Sequence, residues 1–415
     1  MTQTDILKKY CRIATNRDND RFVGIHGDDN GVFVYFPLGY ELSETDSEIR
    51  RDIFHLFEII NEFKEEKEGN ISQRNNSEKK DVEFPIGAYM EIIYYFLNNG
   101  YYRETDSVYR TQNKGKVNWS KTIKKQNPIL IKNKNSSYSL IYANFTVRNS
   151  TPNDDKEITR INQYCVYESF KKIGWLFNSY MPPKPIGKLN KNKSLFILQD
   201  KLSNTNVDNK KKLFKSMIDL INSMDDNSEN QFYYGTNTFE HVFEKMVDKM
   251  FGIEHKDDYY PKAEWNLKFN DNIKTYPLQP DTIMEYDDKI FVIDSKYYKY
   301  GDTAEPKDLP QITSINKQIT YAEYAKTLEI TNNKEIYNAF LLPFNKESKK
   351  FSTNNLINVG EAIGEWRGKS THKYEHVQCV LIDVRYLMEN YKVNSKDNII
   401  QLANAIEEAF EETVL

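Results

Sequence analysis

The residues best suited to chemistry in this 415-residue chain lie in LQPDTIMEYDDKIFVIDSKYY, residues 278–298. Asp281 opens one strand candidate, Thr282–Tyr286. Asp287-Asp288 marks a tight turn, and Lys289–Tyr297 is the return strand, carrying the apolar run Ile290-Phe-Val-Ile293. Side chains alternate along a strand, so Asp294 and Lys296 share a face. A hairpin with these arms brings Asp281 toward Asp294. Two carboxylates and an ammonium at the ends of buried strands are costly unless something offsets the charge. A divalent cation between the carboxylates does so, because Mg²⁺ takes one or two carboxylates and completes its shell with water and phosphate oxygens. Lys296 then orients an attacking water and stabilises its deprotonated form, which is the chemistry of phosphodiester hydrolysis. The bare Asp/Glu-x-Lys spacing says little, since Asp208-x-Lys210, Asp287-x-Lys289, Glu65-x-Lys67 and Glu347-x-Lys349 share it. Those four sit in polar or turn-like stretches and read as solvated pairs. Only Asp294-x-Lys296 follows an apolar strand with a Pro-Asp one hairpin upstream.

Elements able to position these residues follow a polar break near residue 225. Phe239, Val242, Phe243, Met246, Val247 and Met250 fall at helical spacing and predict an amphipathic helix. Strand candidates follow at 265–269, 282–286, 289–297, 337–342 and 377–384, with helix candidates at 309–326 and 397–412. Alternation of this kind predicts an α/β fold with helices packed on a mixed sheet.

Four elements in this order resemble the PD-(D/E)XK nuclease superfamily, and more narrowly the nuclease subunits of McrBC-like (McrC) and LlaJI-type restriction systems. They are Phe239-Glu-His-Val-Phe-Glu244, Gln279-Pro-Asp281, Val292-Ile-Asp294-Ser-Lys296-Tyr-Tyr298 and Ile315-Asn-Lys-Gln318-Ile-Thr-Tyr321. The resemblance implies that Asp281 and Asp294 bind metal, that Lys296 organises the nucleophilic water, and that Glu244 is a further ligand or acid. Glu240 lies nearer the buried face, so which glutamate serves the site is open. Gln318 would position a water or phosphate, or else is a surface helix residue. Ser295 is expected to contribute through its backbone carbonyl. The resemblance implies Mg²⁺, with Mn²⁺ as a substitute, and double-stranded DNA as substrate. It also implies a McrB-like AAA+ GTPase or ATPase partner and a cognate DNA methyltransferase. It reaches the N-terminal half at Gly115-Lys-Val-Asn-Trp119-Ser-Lys-Thr-Ile123 and Tyr164-Cys-Val-Tyr167. Two further readings are a self-sufficient type II enzyme and a non-catalytic DNA-binding scaffold with a nuclease fold. The intact Asp281, Asp294 and Lys296 set argues against the scaffold.

Residues 1–225 are expected to form a mixed α+β region that contacts DNA, docks the partner, or both, and 226–415 the nuclease domain. Within the first, Val32–Pro37 predicts a strand. Ser43 is placed to cap a helix carrying Ile49, Ile53, Leu56, Phe57 and Ile60. Residues 64–80 read as an exposed, mobile loop, and 85–98 as a helix stopped by Gly100. A formal charge of −4 seems to weigh against nucleic acid until its distribution is seen. Arg110 to Asn153 contains no acidic residue and nine basic ones, leaving −13 for the rest. This stretch is either a solvated, loop-rich surface or a phosphate-contacting one, with Lys114, Lys116, Trp119, Lys121, Lys124 and Lys125 as candidate DNA contacts.

Other features exclude alternatives. Three widely spaced Cys rule out a disulfide framework or cysteine zinc cluster. With no run of 18 apolar residues and a polar N-terminus, a cytoplasmic protein with no membrane association is expected. Gly364-Glu-Trp-Arg-Gly368-Lys-Ser370 is one residue short of a P-loop, so no nucleotide is expected on this chain. His372 and His376 lack the setting of a metalloprotease pair. His55 is expected to be solvated, His241 and His255 to lack partners, and Cys165 to be core in a strand-like context.

Overall fold

A computed structural model describes residues 7–17, 20–28, 31–68, 84–135, 137–177, 180–224, 232–269, 273–365 and 372–412. They fall into two compact units, one of residues 7–68 with 232–412 and one of residues 84–224. This differs from a sequential division at 225, because the N-terminal segment joins the C-terminal half.

The first unit is built on a five-stranded sheet. In spatial order its strands are Thr282–Tyr286, Lys289–Ser295, Glu335–Phe344, Val377–Asp383 and Leu356–Ala362. The outer pairs are antiparallel and the inner two parallel. Strands buried on both faces read as apolar runs, and Ile290–Ser295 is buried throughout. The helix Ile312–Thr327 covers one face, packing Tyr321, Ala322 and Ala325 on Ile283, Ile290, Val292 and Ile336. The helices Phe239–Phe251 and Lys396–Glu412 also pack on the sheet. On Phe239–Phe251 all six residues predicted for the apolar stripe are buried, each stabilising by about 1.5–3 kcal/mol.

A second sheet fastens the N-terminal segment to this unit. Its strands run Cys11–Ile13, Gly31–Phe36, Val23–Asp28 and Phe232–Thr236. Gly24 and Gly235 face each other across the last pair. A Cβ on Gly24 would lie 2.2 Å from Tyr234 O, and one on Gly235 2.2 Å from Val23 O, so only glycine permits this approach. The helix after these strands, Asp46–Glu68, starts later than Ser43. Ser43 is not its cap: its hydroxyl donates to Asp52 (2.7 Å) and accepts from Arg385 (2.8 Å). Thr45 takes the capping place, its hydroxyl accepting the Glu48 N–H (3.4 Å). Residues 64–68 continue this helix; 69–80 of the expected loop lie outside the described residues.

The second unit packs the helices Ile86–Asn99, Glu157–Ile173, Lys191–Ser203 and Asp208–Asn222 around buried Tyr89, Ile92, Ile161, Phe214 and Met217. Cys165 is core, but helical: buried positions 158, 159, 161, 162, 165, 166, 169, 170 and 173 follow the helix period, which overrides the strand propensity of Tyr-Cys-Val-Tyr. The acid-free stretch is ordered rather than loop-rich. It contributes to the antiparallel pair Glu104–Gln112/Phe145–Asn153, and it forms the helix Trp119–Lys125 and the hairpin Ile129–Lys132/Tyr138–Ile141.

Candidate active site

Hydrogen bonding through the 282–295 hairpin brings the predicted carboxylates together. Thr282 pairs with Ile293, so Asp281 stands one residue before the first pair and Asp294 one residue after it. The Ser295 N–H donates to Asp281 Oδ2 at 2.8 Å. Ser295 thus reaches the Asp281 carboxylate through its backbone N–H. Asp294 is 2% exposed; its Oδ2 pairs with Lys296 Nζ, while its Oδ1 is buried without a hydrogen-bond partner. Lys296 is fixed at its backbone by donating to Leu341 O (2.9 Å). Burial raises the Asp281 carboxyl above the usual carboxylate range, and the charges of Asp294 and Glu244 raise it further, against Lys296 and the Ser295 N–H.

The same observation separates the two glutamates. The charge of Glu244 raises the Asp281 carboxyl, whereas that of Glu240 raises the Tyr297 phenol. Glu244 is half-exposed and has His241 Nδ1 at 3.4 Å, so His241 has a partner after all, one helical turn back on the same surface. Gln318 is neither a surface residue nor a group reaching outward. It is fully buried, and its Nε2 donates to Val292 O (2.9 Å) and Ala339 O (3.2 Å), clamping its helix to the Asp294 strand and the next.

Among the described residues no three His, Cys, Asp or Glu side chains converge closely enough to hold a metal ion. The Asp281/Asp294 pair nonetheless suits a hard divalent cation, which needs only one or two carboxylates, and the orphaned Asp294 Oδ1 is a buried oxygen lacking a partner.

The model of the family described as LlaJI restriction endonuclease matches residues 22–363, most of the chain and all of this site. The chain belongs to the LlaJI restriction endonuclease family. A relative, the type II restriction enzyme BsuMI component YdjA of Bacillus subtilis (strain 168), is 27% identical over 279 residues. That match covers 61% of this chain and 56% of the relative, so the chain spans a little over half of that protein's length. Among solved structures, the chain is similar to a half-complex from a tetradecameric assembly of Thermococcus gammatolerans McrB AAA+ hexamers with bound McrC. The identity is 14% and the TM-score 0.34, over 95% of this chain and 83% of that one. The cryo-EM structure of the Thermococcus gammatolerans McrBC complex matches at 16% and 0.23, over 60% and 78%.

Three residues of this LlaJI-family chain to which sequence patterns gave no role brace the site, two on the Asp281 segment and one just past Lys296. Lys256 Nζ donates to Asp281 O and pairs with Asp248 (2.6 Å). Tyr321 OH donates to Gln279 O (2.9 Å). Tyr297, buried against Phe239 and Phe243, accepts the Leu38 N–H on its hydroxyl (2.6 Å). The only local signal was for Tyr321, one helical turn after Gln318; the others depend on distant partners.

The remaining sequence candidates are placed as follows. Lys114, Lys116, Trp119, Lys124 and Lys125 are exposed, and Lys121 lies over the Tyr109 ring, 3.2 Å from its centroid. Lys124 and Lys125 end the Trp119–Lys125 helix, where cations also offset its dipole. His55 is not solvated: its Nε2 lies 2.7 Å from Met388 O. His376 pairs with Glu361 (3.0 Å) and His372 stacks on Tyr374. Residues 366–371, including most of the near P-loop, lie outside the described residues.

Proposed function

We propose that this chain is the Mg²⁺-dependent endodeoxyribonuclease subunit of a restriction system directed against foreign DNA. One observation carries the reading: Asp281 and Asp294 meet at the ends of paired strands, with Lys296 on Asp294 and one buried carboxylate oxygen left unpartnered. Asp281 and Asp294 would hold the cation, with Glu244 as a nearby acid. When bound, Mg²⁺ would supply charge stabilisation at the scissile phosphate and acidify a water. Lys296 holds the attacking water toward the phosphorus and stabilises it as it loses its proton. Gln318, Lys256 and Tyr321 keep the strand ends in register. Lys114, Lys116, Trp119, Lys121, Lys124 and Lys125 contact DNA phosphates in this reading, since clustered cations release counterions from a duplex. The sequence resemblance to McrBC-like nuclease subunits supports a McrB-like AAA+ GTPase or ATPase as partner, Mn²⁺ as a substitute metal, and a methyltransferase in the same cytoplasmic system.

Mn²⁺ binding by electron paramagnetic resonance, together with plasmid nicking in Mg²⁺ with and without the NTPase of the same system, tests this. Asp281→Asn and Asp294→Asn should weaken Mn²⁺ binding, and Lys296→Ala should abolish nicking while metal still binds. Unchanged nicking in all three variants would contradict the assignment.

A further inference from the structure

Just before Asp281 the chain forms a narrow ribbon, residues 261–278, of which 270–272 lie outside the described residues. Glu264–Trp265 pairs antiparallel with Ile273–Lys274. Toward the root, the Thr275 N–H donates to Ala263 O (2.9 Å) and the Leu278 N–H to Pro261 O (2.9 Å). The root is fastened at the carboxylate site. Lys256, five residues before Pro261, donates to Asp281 O, and the Tyr321 hydroxyl holds Gln279 O. Leu278 precedes Asp281 by three residues, so the ribbon starts within about 11 Å of it.

Its side chains are unusual for a solvated loop. Trp265, Phe269 and Tyr276 are 64%, 95% and 98% exposed, and Ile273, opposite Trp265 on the same face, and Leu278 are exposed too. Scattered exposed apolar residues are ordinary, but here they are gathered on one pair of strands. None of the ribbon's described residues is buried, so it has no core of its own, and a lone two-stranded ribbon is marginal in water. Charge is not what it offers: three lysines, Lys262, Lys268 and Lys274, stand against Glu264 and Asp271. Its means of contact are aromatic and aliphatic surface.

Whatever covers this surface is held next to Asp281, and on the nuclease reading the macromolecule held next to Asp281 is the duplex. Resting on that reading, we infer that the 261–278 ribbon enters the major groove beside the scissile phosphate, with Trp265, Phe269 and Tyr276 packing on base edges there. The groove, about 12 Å wide, admits a two-stranded ribbon, whose arms lie about 5 Å apart. The apolar group that the groove presents is the thymine C5 methyl, which aromatic side chains contact directly. The ribbon thus reads bases while the strand it leads into holds the cutting residues.

The test uses the full chain with Ca²⁺ in place of Mg²⁺ and two fluorescent 30-base-pair duplexes of one mixed sequence, one carrying thymine and the other uracil throughout. Anisotropy is read across a salt series. Wild type should bind the uracil duplex about threefold more weakly, since only the C5 methyls differ. Trp265→Ala/Tyr276→Ala should lose about 10-fold in affinity for the thymine duplex and no longer distinguish the two. Its salt slope should stay within about 0.5 of wild type, because no phosphate contact is removed. Phe269→Ala, at the far end of the ribbon, should weaken binding about threefold, and Trp265→Phe/Tyr276→Phe should recover most of the affinity. Mn²⁺ binding should be unchanged in all of them. Alanine variants that melt like wild type yet keep its affinity would overturn the inference. So would a wild type blind to the methyls, a wild type with no measurable affinity at 50 mM salt, or alanine variants that lose only self-association in sedimentation. Asp294→Asn separates the two claims. If Asp294→Asn still cuts, the active-site reading fails. If cutting is lost in Asp294→Asn but binding is untouched in the ribbon variants, the ribbon assignment alone fails.

Discussion

In the carboxylate site Asp294 is 2% exposed, bound by Lys296 and backed by a clamped strand, whereas Lys114, Lys116, Lys124 and Lys125 of the other unit stand exposed to solvent. Both regions concentrate charge of one sign. The first does so in a low dielectric, where each group's neighbours set its energy and one lost partner leaves another buried and unpaired. The second does so in water and salt, where charges act nearly independently and are screened over about 8–10 Å. A buried charged site therefore fails all at once, and an exposed basic surface fails by increments.

The largest effect that this contrast predicts is at Asp294. Asp294→Asn should reduce single-turnover cleavage by about 10³-fold or more, the scale of removing one charge-stabilising group from a preorganised site. Gly24→Ala comes next. Its new Cβ meets Tyr234 O, and the residue keeps a φ of 140°, so thermal unfolding should show a loss of about 2–3 kcal/mol in the unit built on the five-stranded sheet. A variant as stable as wild type would mean that the N-terminal strands are not integral to that unit.

Asp281→Asn sharpens the comparison with an opposite sign. The folded protein holds the Asp281 proton more tightly than the unfolded chain does, so this group's stabilising contribution is present at low pH and lost as pH rises above its ordinary 3.8. The asparagine can still accept the Ser295 N–H without the repulsion from Asp294 and Glu244. In metal-free buffer it should gain about 1 kcal/mol at pH 8, a gain that shrinks toward pH 4. No gain at pH 8 would show that the site does not store electrostatic strain. The smallest effect belongs to the exposed surface. Lys124→Ala/Lys125→Ala should change stability by less than about 0.5 kcal/mol and weaken duplex binding several-fold, with a shallower salt slope. An abrupt loss of binding there would break the contrast.

How much of this was legible in the sequence depends on the distance between partners. Asp281, Asp294 and Lys296 lie within 16 residues, so strand alternation and one turn suffice to assemble them. The Phe239–Phe251 helix was legible because its apolar period is clean, although which glutamate faces Asp281 was not, since that depends on how the helix sits on the sheet. Gln318 was seen but misread: sequence reports that a residue is polar, not that two strand carbonyls lie within its reach. Lys256, Tyr297 and the Gly24–Gly235 contact were invisible because their partners lie 25 to more than 200 residues away. The N-terminal segment was assigned to the wrong neighbour for the same reason: no local pattern announces that Val23–Asp28 pairs with Phe232–Thr236.

The Asp281/Asp294 pair with Lys296 is proposed as the cutting centre. It is tested most directly by measuring, in one Mg²⁺ preparation supplied with the NTPase of the same system, both duplex binding and plasmid cleavage by Asp294→Asn. DNA binding within about threefold of wild type and no cleavage above background are expected. Cleavage at the wild-type rate by a folded, DNA-bound Asp294→Asn protein would contradict it.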